Sequence, residues 1–161
     1  MILPIGLAMR ATSTMQLCTE VVLVHLVIDH TESIHYLKGN NIFLAWMSPD
    51  LRRICTSGDL LTRACPASAD AVRLLLSVVG HAADLRSVSR LRSVHVQPID
   101  VAVGRIIVEH KEAAMHAVVL TKAGNVLRGD PVNYWTGMST QAALRVDDVH
   151  AAGTSLLRHA G

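Results

Sequence analysis

Apolar positions along the chain change their spacing about two-thirds of the way through, from helical repeats to short β-branched runs. Ser68 to Val79 is the clearest helical pattern. Val72, Leu75, Leu76 and Val79 recur at helical spacing, Ser68 stands as the cap, Asp70 sits in the first turn and Gly80 is the stop. A shorter helix is predicted from Pro49 to Ile54, with Pro at the first helical position after Ser48. Cys18 to Asp29 forms an apolar element after the small polar run Ala11-Thr12-Ser13-Thr14. Asn41 to Met47 forms another, with Asn40 or Asn41 as its N-cap. Asp84 to Arg92 is basic and reads as exposed, and a last short helix is predicted from Thr140 to Leu144.

From Val94 onward the runs read as strands: Val101 to Val103, Arg105 to Glu109, then Met115 to Thr121 and Val126 to Pro131. The last two flank Ala-Gly-Asn and predict a hairpin. If Thr121 pairs with Val126, His116 and Asp130 become diagonal neighbours across two strands. A carboxylate there holds an imidazole in one tautomer, which is the orienting role in a nucleophile–base–acid set. The fold class expected is α+β, N-terminal helices followed by a small antiparallel β-sheet.

Composition narrows the class. With 161 residues, 50% of them apolar and 17% charged, the chain is one domain with a full core. Aromatics are only 3%, so the core must be built from Val, Leu, Ile and Ala, and base-stacking surfaces for nucleic acid are not expected. The net charge of +2 does not change that picture. Cys18, Cys55 and Cys65 are too few and too irregular for a disulfide framework, and there is no Asn-x-Ser/Thr acceptor. Both features point to a reducing interior. Met1 to Ala8 lacks the basic start of a signal peptide. Val21 to Ile28 is far short of the roughly 20 residues of a membrane span.

A thiol at a helix N-terminus is stabilised as thiolate, the form that attacks a carbonyl. Cys18 fits that position, opening the run Cys18-Thr19-Glu20-Val21-Val22-Leu23-Val24, with Gln16 nearby as an oxyanion donor. The alternative for Cys18 is a small buried hydrophobe. Cys65 is the second candidate nucleophile, although the adjacent Pro66 gives it the look of a loop residue, and Cys55 falls inside a helix. His25, His30 and His35 recur every fifth residue and so fall on different helix faces, as solvated or core histidines do. His110, Glu112 and His116 with a cysteine lack any zinc spacing, so no metal and no other cofactor is expected. Arg128-Gly129-Asp130 matches an adhesion tripeptide by chance.

Helices leading, then strands carrying histidine and acid, is the papain-like cysteine peptidase order. Arg105-Ile106-Ile107-Val108-Glu109-His110 and Met115-His116-Ala117-Val118 resemble the strand pair around the catalytic histidine in potyviral helper-component proteinases. Fungal hypovirus leader proteases share that plan. Asn41-Ile42-Phe43-Leu44-Ala45 resembles the helix after the nucleophile in the helper components. The resemblance spans about residues 38–161, leaving 1–37 as an extension or as the nucleophile helix. It departs where the family places its cysteine, since Lys38-Gly39-Asn40 stand there. Picornaviral leader proteases resemble the chain in their cysteine-to-histidine separation, which favours Cys18. Asn133-Tyr134-Trp135 is similar to the Asn-x-Trp of cellular papain relatives, making Asn133 the rival to Asp130.

The resemblance implies a papain-like viral leader protease that frees itself from a polyprotein by one cis cleavage after Gly161, retaining its own C-terminal tail. Its setting would be the host cytoplasm, with host proteins as further partners. Two alternatives remain open: a degenerate, non-catalytic protease-like module that binds host or viral proteins, and a bacterial papain-like effector.

Overall fold

The computed structural model describes residues 41–121, 123–129 and 141–159. In chain order these form β1 (Phe43–Trp46), α1 (Pro49–Thr56), α2 (Gly58–Ala64), α3 (Ala69–His81), α4 (Leu85–Ser89) and β2 (His95–Asp100). Then follow β3 (Arg105–His110), β4 (Ala113–Thr121), β5 (Gln141–Ala151), β6 (Thr154–Ser155) and a 3-10 turn, Leu156–His159. The class is α+β, with a mixed sheet rather than a purely antiparallel one. The strand order is β1-β5-β4-β3-β2, with β6 also on β5. β1 runs parallel to β5 and the other pairings are antiparallel.

Local chemistry explains the starts of α1, α2 and α4, whereas Ser68, expected to cap α3, makes no side-chain cap bond. Ser48 Oγ accepts the Leu51 N–H at 3.2 Å, with Pro49 opening α1. Ser57 serves twice: its N–H closes α1 on the Arg53 carbonyl, and its Oγ caps α2 through Leu60. Asp84 caps α4 through the Ser87 N–H at 2.6 Å, and this bond holds the Asp84 carboxyl below its ordinary range.

The helices cover one face of the sheet. Leu51 and Ile54 of α1, Leu61 of α2, Val72, Leu75 and Val79 of α3, and Leu85 and Val88 of α4 are buried there. Opposite them lie Ile106 and Val108 of β3, and Ala113, Met115, Ala117 and Val119 of β4. On β5 the core parity switches, from Leu144 and Val146 to Val149 and Ala151. The switch is a bulge: His116 pairs with Asp148 and Ala117 with Val146, leaving Asp147 as the extra residue. Without it, one half of β5 would turn its apolar side chains away from the helices. Among the described residues the second face carries a small apolar cluster at one end, where Val118, Leu120 and Ala143 pack with Phe43 and Val126.

Several predicted elements are corrected. Phe43–Trp46, expected within a helix, is a strand, because parallel pairing with Ala143–Val146 outweighs a short run whose periodicity is ambiguous. Thr140 to Leu144, expected to be helical, belongs to the long strand β5 from Gln141 onward. The hairpin after β4 is one residue out of the expected register. Leu120 bridges Val126, Thr121 N–H bonds Asn125 O, and Gly124 takes the positive φ of 78° that a three-residue loop requires. Asp84 to Arg92 is not wholly exposed, since Leu85 and Val88 are fully buried.

Candidate functional site

His116 lies on the face of the sheet opposite the helices. Alternation puts Ala114, His116, Ile107, Glu109 and His150 on that face, because Met115, Ala117, Val108 and Val149 point into the core. Together they border an open groove of about 460 Å³, completed by Glu112 and Gly153 of the two nearby turns. Those turns are tied to each other by Ala152 N–H donating to Glu112 O at 2.8 Å. Lys111 and Ala152, both non-glycine, hold φ values of 51° and 49° at this rim. Left-handed backbone at such residues is uncommon and persists where surrounding bonds enforce it.

Two imidazoles meet in the groove. The His116 and His150 ring centroids are 4.6 Å apart with planes tilted by 36°. His150 Nε2–H donates to Asp148 Oδ2 at 2.9 Å, so a neutral His150 carries its lone pair on Nδ1. The other Asp148 oxygen accepts the Val149 N–H at 2.8 Å and the Ser155 hydroxyl at 2.9 Å. Ser155 Oγ in turn accepts the Leu157 N–H at 3.2 Å. The carboxylate is therefore fixed from three sides by the β5–β6 corner.

His116 is pushed below the ordinary histidine range, first by burial and then by His150. Asp148, Glu109 and Asp147 pull the other way without reversing the outcome. A neutral imidazole in an open groove can accept a proton at neutral pH.

Cys18, Gln16, Asp130, Asn133 and Gly161 lie outside the described residues. The structure does not bring the remaining cysteines to His116, since both pack against the core on the helical side. Burial, the neighbouring Cys65 and the Asp148 carboxylate push the Cys55 thiol up to about 12. Cys65 ends α2, its Sγ–H donates to Leu61 O at 3.3 Å, and burial raises its thiol despite the opposing Arg73. The C-terminal segment pairs with β5 at Thr154 and Ser155, and Leu156 is then buried in the helical core beside α1.

His110 does not join the groove. It is buried at 4% exposure on the core side, its Nδ1–H donates to Ser93 O at 2.7 Å, and its Nε2 has no partner among the described residues. No group of three or more metal-binding side chains occurs among the described residues. No described helix is long and apolar enough to cross a membrane.

Asp148, His150 and Ser155 were not legible as site residues. Their signal is the alternation Asp148-Val149-His150, which becomes informative only once β5 is known to be a strand. No protein-family model, no curated protein and no solved structure matches the chain.

Proposed function

We propose that the chain is a papain-like cysteine protease of the viral leader type, with His116 as its base. The observation that supports this reading is the state of His116: half-buried in an open groove and held below the histidine range. In this reading Cys18 is the nucleophile, Gln16 donates to the oxyanion, and Asp130, or Asn133 in its place, orients the ring. His116 takes the Cys18 thiol proton, the thiolate attacks the carbonyl of Gly161, and the proton passes to the leaving amine. Water then releases the acyl-enzyme, leaving Gly161 as a carboxylate. The reaction would occur once, in cis, in a host cytoplasm.

A second reading has its own support. Cys55 and Cys65 both carry raised thiols on the helical side, and Leu156, at the start of the 3-10 turn, is buried beside α1. These features suit a non-catalytic module that uses the same groove to bind a host or viral protein.

Native thiol mapping separates the two. Brief treatment of the full chain with iodoacetamide near neutral pH, followed by mass spectrometry, should label Cys18 first, and more slowly in His116→Ala. Equal, slow labelling of all three cysteines would favour the binding module, and fastest labelling of Cys65 would move the nucleophile there.

A further inference from the structure

We propose that His150, anchored by Asp148, is a further positioning residue for His116, bounding its imidazole within the groove in addition to the orienting residue of the proposed catalytic set. The inference rests on the reading of His116 as the base. Three geometric facts carry it. The two ring centroids lie 4.6 Å apart with planes tilted by 36°, so each ring bounds the space open to the other. His150 is itself tethered at 2.9 Å to Asp148, whose remaining oxygen is bonded to Ser155 and to backbone. Finally, Asp148 is the direct cross-strand partner of His116, so the tether arises from the same ladder position as the ring it steadies.

A surface histidine on a strand ordinarily samples several rotamers, and each misplacement of a base costs rate. Here the neighbouring strand supplies a plate for the ring, and the bulge at Asp147 brings the carboxylate to that plate. Electrostatics add a consequence with a sign. His150 disfavours a positive charge on His116, whereas Asp148, Asp147 on the same strand and Glu109 on β3 favour it. Lys111 and Glu112 of the β3–β4 turn line the same groove. Removing His150 and removing Asp148 should therefore move the His116 titration in opposite directions.

The test uses the full chain carrying a reporter beyond Gly161, with His150→Phe, His150→Gln and Asp148→Asn. Side-chain NMR follows the His116 titration directly, and dispersed amide spectra establish that each variant is folded. His150→Phe keeps a ring but no charge, and should raise the His116 midpoint. Asp148→Asn should lower it. His150→Gln keeps a polar group for Asp148 but no ring; it should slow reporter release by on the order of 10²-fold, with His150→Phe retaining more. A His116 midpoint unmoved by either single change in folded protein overturns the positioning role. If the midpoints move as stated while the unchanged protein never releases its reporter, the contact between the two rings stands and the protease reading falls.

Discussion

His116 faces Asp148 across the β4–β5 ladder, yet the Asp148 carboxylate bonds His150 at 2.9 Å, and the histidine rings meet at 4.6 Å. The groove thus holds one imidazole tied to an acid and one steadied by contact with the first. Burial is the leading reason that His116 disfavours its charged form, and Asp148, Glu109 and Asp147 offset it only in part.

That state makes stability depend on pH in a defined sense. The folded-state pKa of His116 lies below the ordinary value of 6.5, so the unfolded chain takes up the proton first as pH falls. The His116 contribution is constant above 6.5, becomes unfavourable as pH drops through that value, and levels off below the folded-state pKa. Urea midpoints at about pH 8 and about pH 5, bracketing histidine titration, should fall more for the unchanged protein than for His116→Gln. An equal fall in both would remove His116 as the source.

Gly104 and Gly80 should respond to alanine with opposite signs. A Cβ at Gly104, whose φ is +68°, would lie 2.6 Å from Leu127 O and 2.7 Å from Val126 Cγ1. Gly104→Ala should cost about 1–3 kcal/mol through strain and overpacking. Gly80 lies inside α3 with nothing within 4 Å of its Cβ position, so Gly80→Ala should stabilise by about 0.5–1 kcal/mol. Denaturant unfolding of both variants checks the pair.

Neighbouring leucines on α3 should differ as sharply. Leu75 is fully buried between α3 and the sheet, whereas Leu74 is 48% exposed. Leu75→Ala should cost about 2–5 kcal/mol, the lost transfer energy plus the cavity. Leu74→Ala should change stability by less than about 0.5 kcal/mol. Thermal melts distinguish them.

The parts of this fold that are local were readable from residues alone. The Ser48-Pro49 start of α1, the core face of α3 and the strand character of Arg105 to Glu109 follow from caps and periodicity. Even there, α3 ends one residue past Gly80, at His81, whose Nδ1–H donates to the Ser77 carbonyl in the last turn. Phe43–Trp46 was not readable, because its strand character comes from a partner, Ala143–Val146, that is remote in sequence. The same holds for the site. His116 stands out as a histidine on an alternating apolar strand, but Asp148 and His150 join it through a bulge and a pairing that no local pattern announces.

The central claim, that His116 is the base of a self-releasing cysteine protease, is tested most directly by fusing a reporter beyond Gly161 and measuring its release. The unchanged chain and Cys65→Ala should both free the reporter at a new Gly161 terminus. Cys18→Ala and His116→Ala should each lower the rate by at least about 10³-fold, as expected for members of one catalytic unit. A fusion that stays intact in the unchanged, demonstrably folded chain, or release that survives His116→Ala, would contradict the account.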